Sequence, residues 1–341
     1  MRAVQIHSLG TLDGSANRLR EERLPIPTPA ADEVLIRVRF CGVCHTEIDE
    51  IENRSPPATL PMTPGHQITG IVVAEGKACR RGLLDQPVGV AWIFTACGHC
   101  RYCVNELENL CPSFLASGRD RPGGYAEFMV VPEDFAYPLP GNIPLQNIAP
   151  LLCAGAVGLR ALKMTRLQNG ETLGLTGYGA SGRLVLQMAR HLHPAANIQV
   201  FARSKSEQAL ALEMGADWAG DTDQTPPGLA NAIIDTTPAW WPVLCALNVL
   251  QPGGRLIINA IRKESGDLHV LQQLDYSRHL WLEKSVQSVA NVTRRDVTEI
   301  LQLAASIPLV PEVKTYPLEH ALEALMNIKR GDIAAAGVIR L

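Results

Sequence analysis

Between residues 97 and 111 the chain places four cysteines, Cys97, Cys100, Cys103 and Cys111, with two, two and seven residues between them. Short Cys-x-x-Cys steps let one loop wrap a single tetrahedral ion, and four thiolates suit zinc. They also suit an iron–sulfur cluster, and in an exported chain they would suit disulfides. Three more donors, Cys44, His66 and Cys153, are scattered. Singly they say little, since a lone His is more often a hydrogen-bonded core residue and a lone Cys a small hydrophobe. Cys41 and Cys44 have the spacing of a redox pair. A last group is Gly177-Tyr178-Gly179-Ala180-Ser181-Gly182. Glycines so spaced permit a tight turn and close approach of a pyrophosphate to the amino end of a helix.

The elements around these residues change character along the chain. Up to about residue 150 the pattern is strands and loops. Val34, Ile36, Val38 and Phe40 alternate with Leu35, Arg37 and Arg39, as in a sheet buried mainly on one face. Strands are expected at 2–7, 33–40, 68–74 and 87–95, with Pro25, Pro27 and Pro29 in an extended connector. From about 150, strands and helices alternate. Strands are expected at 171–176, 198–202, 231–235 and 255–260. Helices are expected at 180–192, 206–214 and around 240–250. Leu184, Val185, Met188, Ala189 and Leu192 form the stripe of the first. This is the pattern of a parallel sheet wrapped by helices, so the fold class is α/β. The glycine group then sits between a strand and a helix, the context in which it signals dinucleotide binding. Residues 294–341 carry two helical patterns and a closing strand.

The next strand ends in Phe201-Ala202-Arg203-Ser204-Lys205. A carboxylate at Ala202 would bind the two ribose hydroxyls of NAD; an apolar residue followed by two cations favours a 2′-phosphate, and so NADP(H) over NAD(H). Composition agrees with a globular protein. Of 341 residues 46% are hydrophobic and 19% charged, enough for two domains. A net charge of −3 leaves no basic footprint for nucleic acid. The amino end lacks an apolar leader, and no stretch approaches the ~20 apolar residues of a membrane span. A cytoplasmic protein with metal-bound and free thiols is therefore expected.

Taken in order, Cys41-Gly-Val-Cys44-His45-Thr46-Glu47, Gly65-His66-Gln67, the four-cysteine lobe and Leu151-Leu152-Cys153-Ala-Gly before the glycine group resemble the zinc-dependent alcohol dehydrogenases of the medium-chain dehydrogenase/reductase family. The likeness covers essentially the whole chain and is closest to the cinnamyl and bacterial alcohol dehydrogenases. It implies a GroES-like β-rich catalytic domain (1–153, zinc lobe 95–112), a doubly wound Rossmann domain (154–293) and a return to the catalytic domain (294–341). It implies two Zn2+ per chain: a catalytic ion on Cys44, His66 and Cys153, with Cys41 not a ligand, and a structural ion on the lobe. Two thiolates and a neutral imidazole balance one divalent ion and leave a position open for the substrate oxygen; four thiolates leave none. The implied activity is hydride transfer between NADP(H) and a primary or secondary alcohol or aldehyde. Thr46 is the implied first proton acceptor. Many relatives continue the relay through a His five residues after the ligand Cys, where this chain has Asp49. Asp49 is either that relay or a solvated loop residue.

Two departures bear on this site. Gln67 replaces the family's usual Glu, and Ala334, Ala335 and Ala336 follow Gly331-Asp-Ile333 where many members carry an Arg. These losses read as linked, because a buried carboxylate without its cation is costly, and they shift the binding of cofactor phosphates toward Arg203 and Lys205. Trp92 and Ile93 resemble the family's pocket wall. Homo-oligomers through edge pairing near Leu282–Val289 are implied. A polyol or sugar dehydrogenase is the alternative within the family, though Cys153 stands where those relatives often use Glu. A non-catalytic NADPH-binding zinc protein is the alternative outside catalysis.

Overall fold

Strand β1 (Arg2–Ile6) pairs antiparallel with β2 (Leu19–Arg23), an element hidden in a charged stretch. β3 (Glu33–Gly42) buries Val34, Ile36 and Val38 and exposes Arg37 and Arg39, as its alternation dictates. The short helix α1 (His45–Ile51) follows at once. Then come β4 (Ile68–Glu75), β5 (Pro87–Val90), β6 (Ile93–Thr95), β7 (Leu115–Ala116), β8 (Phe128–Pro132) and β9 (Tyr137–Pro138). The single strand expected at 87–95 is two strands. β5 stays in the large sheet, while β6 leaves it to pair with β7, and the Trp92 carbonyl at the break accepts from Ser117 N at 2.8 Å. Helix α2 (Leu145–Ile148) and a 3-10 turn over Ala149–Leu152 lead to α3 (Ala154–Thr165).

The alternating stretch then builds β10 (Thr172–Thr176), α4 (Ala180–Leu192), β11 (Asn197–Phe201), α5 (Lys205–Glu213), β12 (Trp218–Gly220), β13 (Ala230–Asp235), α6 (Trp241–Val249), β14 (Leu250–Ile258) and β15 (Ser285–Ser288). Its sheet has the order β12-β11-β10-β13-β14-β15, and every pairing is parallel. α4 covers it with Leu184, Val185, Met188 and Ala189, whereas Leu192, at the helix end, is 42% exposed. The chain closes with α7 (Arg294–Ser306), β16 (Val313–Pro317), α8 (Ala321–Arg330) and β17 (Ala336–Arg340).

Residues 1–13, 18–333 and 335–341 are described in this computed structural model, so Ala334 of the alanine run lies outside the described residues. They divide into Met1–Ala156 with Val292–Leu341, and Val157–Asn291. In the first unit β17 pairs antiparallel with β3, in a sheet ordered β16-β17-β3-β4-β5-β9 with β8 also on β3. Its core runs from Ile6 through Ile36, Ile48 and Ile68 to Leu325 and Ile339. The end of the chain thus braces the segment that carries Cys44: Val43 N donates to the Gly337 carbonyl at 2.9 Å. Among the described residues no single helix is long and apolar enough to cross a membrane.

Candidate functional site

Cys44, His66 and Cys153 arrive from three different elements of the first unit. Cys44 is the N-cap of α1, with extended backbone. His66 precedes β4, in a loop sewn to residues 123–125: Thr63 O accepts from Gly123 N, Pro64 O from Tyr125 N and Gly65 O from Gly124 N. Gly65 has φ +102°, and a Cβ there would meet the Tyr125 ring at 2.6 Å and Cys41 Sγ at 2.8 Å. Only glycine can make that bend against those neighbours. Cys153 ends the 3-10 turn whose Leu151 and Leu152 are fully buried. Folding brings the three donor atoms within 4.8 Å of one another. Cys41 is not among them; its thiol is buried against Gly65 and Gly124.

The three donors perturb one another strongly. Hydrogen bonding from the Cys153 thiol, and then from His66, holds the Cys44 thiol well below its ordinary range. The Cys153 thiol is correspondingly pushed up by its bond to Cys44 and by burial. His66 is 1% exposed. Burial disfavours its charged form, but the Glu47 carboxylate and Cys44 outweigh burial and raise it. Glu47, the last residue of the Cys41–Glu47 motif, is fully buried. One carboxylate oxygen lies 2.6 Å from His66 Nδ1 and the other accepts from Cys44 N at 2.8 Å. The first contact turns Nε2 toward the thiols, and the second fixes the ligand's own backbone. The signal was present: an acid at the third helical position after a candidate ligand.

Thr46 is buried, with Oγ1 3.6 Å from Cys44 Sγ. Asp49 is neither solvated nor in a loop. It lies on α1, 2% exposed, and its Oδ1 accepts from Arg54 Nε at 2.7 Å. Gln67 is buried, its amide against Gly42. Trp92 and Phe114 rings are 5.2 Å apart, and the Arg119 guanidinium lies over both. Ile93 is buried. Glu50, one turn along α1 from Glu47, is a residue the sequence did not flag. It is 1% exposed, neither oxygen has a hydrogen-bond partner among the described residues, and burial pushes its carboxyl well up.

In the lobe, Cys103 Sγ lies 3.8 Å from Cys97 Sγ and 3.6 Å from Cys100 Sγ, and Cys111 joins the same group. Zinc–sulfur bonds of about 2.3 Å at tetrahedral angles put sulfurs about 3.8 Å apart, whereas a disulfide needs about 2.05 Å. Backbone N–H groups of Cys100 and Ser113 reach Cys97 Sγ and Cys111 Sγ, each at 3.4 Å. Backbone hydrogen bonding at His99 and Cys100 lowers the Cys97 thiol to about 6. Arg101 turns onto Tyr102, with Nη2 2.6 Å from the phenol oxygen. Glu108 anchors the lobe to α7: its Oε1 accepts from Arg294 N at 2.7 Å and Nε at 3.1 Å.

In the second unit the three fingerprint glycines have three different surroundings. Gly177 has φ +83°, and a Cβ on it would strike Thr236 Oγ1 at 2.6 Å; one on Gly182 would strike the Gly177 carbonyl at 2.6 Å. Gly179, the N-cap of α4, has nothing within 4 Å. A tight turn, close helix–strand packing and an open approach at the helix amino end are what a pyrophosphate requires. Ala180 is exposed and Ser181 partly so. Ala202 is buried at the end of β11. Arg203, Ser204 and Lys205 are exposed beyond it, with Ser204 capping α5 and Lys205 Nζ 3.0 Å from Gln208 Oε1.

Residues 30–141 match the family described as the Alcohol dehydrogenase GroES-like domain. A probable alcohol dehydrogenase of Mycobacterium tuberculosis is 37% identical over 344 residues, covering 99% of this chain and 97% of that protein. A cobalt- and zinc-bound thermostable alcohol dehydrogenase from Pyrobaculum aerophilum has a TM-score of 0.87 at 23% identity, covering 100% of this chain and 99% of its own. CAD from Helicobacter pylori, complexed with NADP(H), has a TM-score of 0.83 at 23% identity, covering 100% and 99%. The two structures share the fold. By its likeness along nearly the whole length of the mycobacterial relative, the chain belongs to the zinc-type alcohol dehydrogenases of the medium-chain dehydrogenase/reductase family.

Proposed function

We propose that this alcohol dehydrogenase prefers NADP(H), holds a catalytic zinc on Cys44, His66 and Cys153, and holds a structural zinc on Cys97, Cys100, Cys103 and Cys111. The observation that carries the reading is the convergence of one imidazole and two thiols within 4.8 Å. Cys44, His66 and Cys153 would hold a zinc that would supply Lewis acidity to the substrate oxygen, easing alcohol ionisation or polarising a carbonyl. The chain's own residues do the rest. Glu47 fixes which ring nitrogen of His66 is free. Thr46, beside Cys44, is placed to take a substrate proton. Asp49 enters as the next relay or as the partner that fastens Arg54; their 2.7 Å hydrogen bond favours the second role. The exposed cations Arg203 and Lys205 after a buried alanine support a 2′-phosphate, and the H. pylori relative was complexed with NADP(H).

We further place the protein in the cytoplasm and read β15 as the contact between two copies. β15 is the edge of its sheet and all four of its residues are exposed, which is the template for pairing with a second chain. The activity reading is tested with a panel of aliphatic, aromatic and polyol alcohols and the matching aldehydes, each with NADP(H) and NAD(H). Turnover of alcohols or aldehydes with NADP(H) ahead of NAD(H) is expected. Turnover of polyols alone, or NAD(H) ahead, would overturn the corresponding part.

A further inference from the structure

Lys263, on the loop that leaves β14, is a buried cation whose side chain is 8% exposed. Its ammonium has three protons to donate and three partners. They are Asp235 Oδ2 and the carbonyls of Thr237 and Ala239, the carbonyls each at 2.8 Å. The Trp240 ring centre lies 5.9 Å away. Asp235, fully buried, ends β13. Its Oδ1 accepts from Thr176 Oγ1 at 2.7 Å and Thr237 Oγ1 at 2.8 Å. Thr176 ends β10, directly opposite Asp235 in the ladder. The next residue, Thr236, donates to the Thr176 carbonyl and packs against Gly177. Around Lys263 the loop is sewn to the same turn, because Glu264 N donates to Pro238 O at 2.7 Å and Asn259 N to Asp235 O at 2.7 Å.

Topology says what lies above this network. β10 has β11 on one side and β13 on the other, so the chain winds outward to β12 and then crosses back. Ligands of open α/β sheets bind outside the carboxyl ends of the strands at such a switch point. With the adenosine half over β11, where Ala202–Lys205 lie, the nicotinamide half extends over β13, β14 and the loops that follow them. A buried lysine–carboxylate pair is weak evidence for stability, since desolvation offsets the attraction. This one ties together two loops, 236–239 and 259–264, on the nicotinamide side.

We infer that Lys263 is a positioning residue for the nicotinamide half of the cofactor, holding the turn after β13 and the loop after β14 in the shape that half requires. The inference rests on the dinucleotide reading above. The test is equilibrium binding to the full-length protein of NADPH and of adenosine 2′,5′-bisphosphate, with NADH and 5′-AMP as the parallel pair. For Lys263→Met, the Kd of the dinucleotide should rise about tenfold and that of the adenylate fragment by less than about twofold, as expected when only preorganisation of the other half is lost. Lys263→Arg, which keeps the charge, should restore part of the loss, and it carries the same comparison if the Met variant does not fold. An unchanged dinucleotide Kd, or an equal change for dinucleotide and fragment, would overturn the inference. Failure of the unmutated protein to bind any of the four would instead overturn the dinucleotide reading itself.

Discussion

The two thiol clusters of the first unit differ in how they are made. The lobe's four cysteines lie within fifteen residues, 97–111, and are partly solvent-facing at Cys97 and Cys100. Their charge is offset by nearby backbone N–H groups, in a loop with little helix or strand. Cys44, His66 and Cys153 span more than a hundred residues. They meet only because α1, the 63–67 loop and the 149–152 turn are each fixed by the sheet and core around them, and a buried carboxylate orients the imidazole. The first cluster draws its four thiols from one loop, and four thiolates would close a site; the second draws its donors from across the fold, and three ligands would leave a site open. A metal that builds its own surroundings and one held in surroundings built for it should respond differently to loss of a single ligand.

That contrast can be broken most forcefully by single-ligand variants. His66→Ala should lower kcat/KM by at least ~10³-fold, since the Lewis acid is lost, with a fall in Tm smaller than that of a lobe variant even though Glu47 loses its partner. Cys100→Ser should instead lower Tm by roughly 10 °C, because a structural zinc contributes folding free energy directly. Steady-state kinetics and thermal melts on both variants check this, and equal losses of Tm would erase the distinction. A smaller effect is expected from Glu47→Gln. It keeps an acceptor for Cys44 N but removes the charge beside His66, so metal affinity by chelator competition should fall about 10–100-fold at the catalytic site alone. Smallest is Gln67→Glu. A carboxylate buried at that position, in the residue next to His66, should cost a few kcal/mol at neutral pH and less in acid, where it protonates; a rise in Tm would show that the two charge losses at this site are unrelated.

Legibility in the sequence followed the same divide. The lobe was plain from spacing alone. The glycine fingerprint was plain because a strand and a helix flanked it, and α4 has the limits the stripe implied, except that Leu192 lies past the sheet and stays exposed. The catalytic cluster was legible only through the resemblance, since no spacing rule joins Cys44 to Cys153. β2 escaped because Leu19-Arg-Glu-Glu-Arg23 has one buried residue and no apolar alternation. The break after β5 escaped because nothing in Val88–Thr95 shows that the strand changes partners. Glu47 and Glu50 were visible as acids but not as buried ones; burial is a property of the neighbours, which are distant in sequence. The Arg54 contact of Asp49 is five residues away and was within reach.

On the proposed reading, Cys44, His66 and Cys153 hold an ion separate from the lobe's. Metal content of the purified protein and of Cys153→Ala, measured beside turnover and circular dichroism, tests it most directly. Two zinc ions per chain are expected in the parent and one in the variant, with the spectrum unchanged and turnover lost. A variant that still holds two ions and still turns over, or a fully active parent that holds only one, would contradict it.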